Sequence, residues 1–106
     1  MYKSIRIIYD SGVEERIDNL LQERGLKRYI KVPNIHGVWG DKMKHMNTHV
    51  WPGTDSVIML IVDTDVAKKL SEDFKNLKSD LKKDDINAPF VVIFSPIDEI
   101  IENDIF

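Results

Sequence analysis

Cysteine is absent from the chain. That excludes disulfides, thiolate metal sites, thiol nucleophiles and thiol redox switches together. Long apolar runs are absent as well. No stretch approaches the roughly 18 apolar residues that a bilayer span requires, so insertion into a membrane is not expected. The opening MYKSIRIIYD has a short apolar run but no small-residue cleavage site, so no signal peptide is expected and a cytoplasmic location is. An excess of positive charge is also missing. Fifteen Lys and Arg stand against 18 Asp and Glu, for a net charge of -3. Phosphate-binding surfaces are usually basic, so nucleic acid is not expected as a partner. The aromatic strand signature of RNA-binding ferredoxin-like domains is missing too. There is no G-x-S-x-G and no G-x-x-x-x-G-K-[ST] phosphate loop. No catalytic constellation emerges, and the chain is not expected to be an enzyme.

What is present reads as one domain over residues 1–106, with 42% apolar and 31% charged residues. Residues 2–9 carry Ile5, Ile7, Ile8 and Tyr9, a β-branched and aromatic strand. Ser11 and Glu14 have the spacing of a capping box, followed by Val13, Ile17, Leu20 and Leu21 at helical spacing, with Gly25 as a stop. A second strand carries Tyr29, Ile30 and Val32, and Pro33 marks an edge position or the strand's end. SVIMLIV (56–62) is the clearest strand. Thr64 is a candidate N-cap for a helix presenting Val66, Leu70, Phe74, Leu77 and Leu81. PFVVIFS (89–95) is a fourth strand. Ser95-Pro96 then resembles an N-cap and N1 pair, with Ile97, Ile100, Ile101 and Ile105 at roughly helical spacing in a short C-terminal extension, 96–106. The order β-α-β-β-α-β predicts an α+β, ferredoxin-like fold: a four-stranded antiparallel sheet with two helices on one face.

Two helices cover one face of such a sheet. A wetted second face would show apolar and polar residues in alternation. Instead Val57 to Val62 and Phe90 to Phe94 are unbroken apolar runs. Both faces of these strands require burial, which self-association would supply. The competing reading has the C-terminal tail folding back over the sheet.

The chemistry is concentrated in HGVWGDKMKHMNTHVWPG, 36–53. All three histidines, both tryptophans and three of the five glycines lie there. It falls within residues 34–54, a long connection between the second and third strands, and a connection of that length is usually functional. His45 and His49, at H-x3-H, would share a metal on one face of a helical turn, with His36 or Asp41 completing the site. Alternatively His36 or Lys42 contacts an anionic ligand such as a nucleotide phosphate, beside backbone amides near Gly37 and Gly40. In a third reading the histidines are simply solvated. Trp39 suits a stacking platform or interface anchor, and Trp51, next to Pro52-Gly53, suits the base of the loop.

The segments VPNIHGVWGDK and HVWPGTDSVIMLIVDTDVAKKLSEDFKNL resemble the PII-like signalling proteins, most strongly from Val32 to Leu77. Trp51 to Asp55, feeding an apolar strand, is the best marker. The resemblance implies a non-enzymatic regulator, a homotrimer with its three sheets facing one another. It implies that 34–54 is the T-loop, which contacts a partner protein such as a transporter or enzyme. It also implies small-ligand clefts between subunits near the loop base, with a nucleotide as ligand. Carried over by position, Gly37 and Gly40 stand at the loop's start and Trp51 to Gly53 at its end; the middle, 41–50, is left mobile and available to a partner or a metal. His36, Gly37, Trp39, Gly40, Lys42, Trp51 and Gly53 are then the candidate ligand-binding residues. Two departures matter. The loop has no tyrosine, so the uridylylation motif Y-[KR]-G-[AS]-x-Y is absent. KSDLKKDDINAP, 78–89, has no glycine, so the phosphate-cradling turn of classical PII proteins is absent too. The related CutA trimers make a divalent-metal or copper protein using His45 and His49 the alternative. A dimeric α+β-barrel enzyme, which also buries both sheet faces, is a further one.

Overall fold

The computed structural model of the chain describes residues 1–104. The elements are β1 (Tyr2–Asp10), a 3-10 turn (Ser11–Val13), α1 (Glu14–Glu23), β2 (Ile30–Ile35), β3 (Gly37–Gly40), β4 (Met43–His45), β5 (Asp55–Asp63), α2 (Thr64–Lys83) and β6 (Phe90–Pro96). Strands β2, β5, β1 and β6, in that order, form an antiparallel sheet. This is the expected ferredoxin-like arrangement. The pair β3 and β4, inside the long connection, forms a separate two-stranded sheet.

Strand alternation divides the main sheet. Ile5, Ile7 and Tyr9 of β1 and Ile58, Leu60 and Val62 of β5 are buried in one core with Ile17 and Leu21 of α1 and Leu70, Phe74, Leu77 and Leu81 of α2. Phe90, Val92 and Phe94 of β6 pack at its margin, Phe90 with its ring 6.0 Å from that of Phe74. The register puts Ile8, Val57, Met59, Ile61, Val91, Ile93, Ile30 and Val32 on the opposite face, with Arg6 between Met59 and Ile93. Ile30 is 63% exposed, and Val32, Met59 and Val91 are exposed as well. The doubly apolar strands foreseen from sequence therefore leave one apolar face open. Residues 97–104 do not close it: these side chains are exposed beside them, and so is Ile101.

Several local expectations change in structure. Ser11 does not cap α1. Its hydroxyl meets those of Ser56 and Thr54, both at 2.9 Å, and Asp10 caps the 3-10 turn by accepting from the Gly12 amide. Glu14, freed from a capping box, accepts from Tyr9 and from Lys31, which also reaches Asp18 at 2.9 Å and ties β2 to α1. Burial works against the Lys31 ammonium, but its bonds to Asp18 and Glu14 outweigh that and raise its pKa. Burial pushes the Tyr9 phenol up to about 12, so it stays a neutral donor. Asp63, one residue before Thr64, caps α2 by accepting from the Val66 amide at 2.9 Å. Pro33 does not end β2. It sits in an edge strand at an irregularity between Val32 and Ile35, where no donor to the ladder is required. No helix follows Ser95-Pro96, because both residues are held in the β6 ladder opposite Ser4 and Lys3; 97–104 are not helical. Ile105 and Phe106, the end of that expected helix, lie outside the described residues.

Both helices end alike. In α1 the Gly25 amide bonds to Gln22 O and the Leu26 amide to Leu21 O; in α2 the Asp85 amide bonds to Lys82 O and the Ile86 amide to Leu81 O. These are Schellman closures, which require a left-handed residue at C′. Gly25 supplies it at φ 68, but Asp85 must adopt φ 56. Glycine removes the steric cost of that conformation. Asp85→Gly should therefore raise stability by about 0.5–1 kcal/mol, visible as a higher urea midpoint at unchanged slope.

Candidate functional site

Asp55 opens β5 on the face away from the helices, opposite Asp10 of β1. That end of the face is not open. The β3–β4 hairpin lies over it, and Asp55 is only 1% exposed. A buried carboxylate is costly unless its oxygens are paired. Here the hairpin supplies both partners: Trp39 Nε1 donates to Oδ2 at 2.9 Å, and His45 Nδ1 meets Oδ1 at 2.7 Å. The other ring nitrogen, His45 Nε2, lies 3.6 Å from Asp10 Oδ2. His45 thus sits between two carboxylates.

Gly37 makes this approach feasible. A Cβ there would run into the Asp55 carboxylate. Beneath the hairpin, Thr54 Oγ1 lies 3.1 Å from Asn34 Oδ1 and 2.9 Å from Ser11 Oγ, which continues to Ser56 Oγ. These short polar side chains fasten both ends of the connection to the β1 terminus. After β4 the chain turns tightly. The Met46 and Thr48 amides bond to Trp51 O, and the Asn47 amide to Gly53 O. Trp51 is half-buried, with Lys44 Nζ 5.2 Å from its ring centroid.

The connection is therefore built rather than structureless. Residues 43–45, in the middle expected to be mobile, form β4. His45 and His49 do not lie on one helical turn: His45 is in a strand and engaged by Asp55, and His49 is exposed in the following turn. Among the described residues no group of three His, Asp or Glu is arranged to hold a metal ion.

A cleft runs between the hairpin and the open sheet face. Ile8 and Val91 form its floor, and Ile35, His36, Gly37, Val38 and Trp39 form its wall, with Asp55 at the back. Three sequence-nominated residues, His36, Gly37 and Trp39, line it together. Trp51 and Gly53 are at the far end of the connection, where Gly53, at φ 87, lies beside His45. Gly40 closes β3, and Lys42 sits in the hairpin tip, exposed. Asp10 and Asp55 were missed as site residues. A carboxylate beginning an apolar strand, on the face that alternation assigns to Met59 and Ile61, was the available signal.

Gly37 and Gly40 should respond differently to alanine. Gly37→Ala is expected to cost about 1–3 kcal/mol through overpacking against Asp55. A Cβ on Gly40 meets nothing within 4 Å. Gly40→Ala is expected to change stability by less than about 0.5 kcal/mol. Urea unfolding of the two variants beside the parent makes the comparison.

No protein-family model and no curated protein matches the sequence. Solved structures match its fold. One of CPII, a nitrogen regulatory PII-like protein from Thiomonas intermedia K12 bound to ADP, AMP and bicarbonate, superimposes with a TM-score of 0.65 at 21% identity, over 89% of each chain. A second CPII structure with the same ligands gives 0.61 at 20% identity, covering 94% of this chain and 96% of that one. The apo form of CPII gives 0.55 at 19% identity, over 88% and 89%. Among the described residues no helix is long and apolar enough to cross a membrane. The chain has the fold of the PII-like proteins, and the β3–β4 hairpin with its cleft is the part of that fold where its unusual residues are gathered.

Proposed function

We propose that this protein is a non-enzymatic PII-like regulator, a homotrimer that binds a small ligand in clefts between subunits. Its signal passes through residues 34–54 to a partner protein, such as a transporter or an enzyme. One observation carries the reading: the cleft formed with residues 35–39 has Ile8 and Val91, two side chains of the apolar sheet face that this chain leaves uncovered, in its lining. A second copy lying on that face would bury Ile30, Val32, Met59 and Val91 and close the cleft at the same time. Each fully buried apolar side chain contributes roughly 1.5–3 kcal/mol, enough in sum to make the oligomer obligate.

The chemistry of the cleft suits a planar, partly apolar group such as a nucleotide base. Ile8, Val38, Val91 and the Trp39 ring offer apolar walls for a base, and His36 and the backbone at Gly37 offer polar contacts. The bound ADP, AMP and bicarbonate of CPII on the same fold support an adenine nucleotide as the first ligand to try. Lys42, Gly40 and the turn bearing Trp51 and Gly53 remain available for phosphate or partner contacts. An adenine-nucleotide sensor of this kind would work in the cytoplasm.

Calorimetry with ADP, AMP and bicarbonate, singly and combined, tests the reading. An adenine nucleotide should bind. Val38 is 64% exposed at the cleft wall. Val38→Glu, which places a carboxylate there, should weaken ADP by at least about tenfold without loss of fold. Absence of heat with every one of these ligands would contradict the nucleotide assignment.

A further inference from the structure

One unpartnered charge stands on the open sheet face. Alternation puts Arg6 there, between Ser4 and Ile8 of β1. Its cross-strand neighbours are Met59 of β5 and Ile93 of β6, and it is exposed. No hydrogen bond or ion pair engages its guanidinium among the described residues. The other charged residues that alternation assigns to this face are acidic, and each is already engaged. Asp10 accepts from the Gly12 amide, Asp55 from Trp39, and Asp63 from the Val66 amide.

Covering this face with further copies takes Arg6 out of water. A buried cation without a partner is costly. The same face of a neighbouring copy offers no free carboxylate, so the compensating anion comes from outside it.

The register places Arg6 beside the cleft. Ile8 and Val91, directly opposed on β1 and β6, form the cleft floor. Arg6 and Ile93 are the next opposed pair on that face, which makes Val91 a diagonal neighbour of Arg6. Diagonal neighbours lie about 7–8 Å apart, within reach of a long side chain. One pair further on, Ser4 faces Ser95. Along β1 and β6 the order is thus an apolar floor, a guanidinium and two hydroxyls. A nucleotide has a matching order, with a planar base at one end and phosphoryl oxygens at the other.

We propose that Arg6 is an oxyanion-binding residue of the open face, and that it holds the phosphoryl group of a nucleotide whose base occupies the cleft. The guanidinium fork suits two phosphoryl oxygens through parallel hydrogen bonds, and the Ser4 and Ser95 hydroxyls are donors for a third. No lysine or arginine lines the cleft itself, so Arg6 supplies the selection for charge that the cleft lacks. This assignment rests on the oligomer and cleft readings proposed above, and its test separates the three.

Calorimetry with adenosine, AMP and inorganic phosphate is run on the parent and on Arg6→Gln, with sedimentation of both proteins beside it. The parent should bind AMP at least about tenfold more tightly than adenosine, the scale of one charge-assisted hydrogen bond. Arg6→Gln should bind adenosine as the parent does and lose the preference for AMP. Arg6→Met, apolar and of similar length, serves the same comparison should Arg6→Gln be insoluble. AMP no tighter than adenosine in the parent overturns the assignment. So does a preference kept in the variant; if that variant also loses its oligomer, Arg6 pairs with a carboxylate of another copy instead. A monomeric parent that shows the Arg6-dependent preference removes only the oligomer. Phosphate that binds the parent but not the variant, where adenosine and AMP both fail, keeps the oxyanion site and overturns the nucleotide cleft. No heat from any of the three overturns both.

Discussion

A sheet whose strands are apolar on both faces, with helices enough for only one, is the constraint from which the rest of this structure follows. Ile5, Ile7, Ile58, Leu60 and Val62 satisfy one face by packing beneath α1 and α2. Met59, Ile61, Val57, Val91 and Ile93 alternate with them on the same strands, so they cannot share that core. Moving a strand by one residue would exchange the two faces and gain nothing, because both are apolar. The solution within one chain is partial: the β3–β4 hairpin caps the end of the second face and leaves its middle open. Arg6, set among these apolar side chains on β1, marks where that middle lies.

Asp55 is where the covered and open parts of this face meet. It belongs to the longest uninterrupted apolar strand, yet it is the buried charged residue that brings the hairpin down. A leucine there would have suited the strand but would offer Trp39 and His45 nothing to bond. The carboxylate exchanges some desolvation cost for directional contacts, and those contacts give the hairpin a defined place. The cleft beside it is a consequence: its floor is Ile8 and Val91 of the sheet, and its wall is the chain from Ile35 to Trp39.

Much of this was legible in the sequence, for identifiable reasons. The periodicity of Val13, Ile17 and Leu21 and of Leu70, Phe74, Leu77 and Leu81 fixes two helices and their buried stripes, because a repeat of 3.6 residues leaves little choice of face. The unbroken run from Val57 to Val62 announced an uncovered face because successive side chains of a strand point to opposite faces. Local capping was less legible. Ser11 and Glu14 have capping-box spacing, but tertiary partners, Ser56 for one and Lys31 for the other, took their side chains. Ser95-Pro96 looked like a helix start until a pairing partner, Ser4, claimed it for β6. The site was half legible. His36, Gly37 and Trp39 stood out by residue type and do line one cleft. His45 stood out as well, but its partners, Asp10 and Asp55, are ordinary acidic residues far apart in sequence. Only the antiparallel register that pairs them reveals the arrangement.

The central claim is that the open apolar face is covered by further copies of the same chain, which completes the cleft. Sedimentation equilibrium at micromolar concentration tests it most directly. The account predicts a species of three times the 12.3 kDa chain mass. A monomer at 12.3 kDa over the same concentrations would contradict it, and a dimer would favour the paired-sheet architecture of an α+β barrel instead.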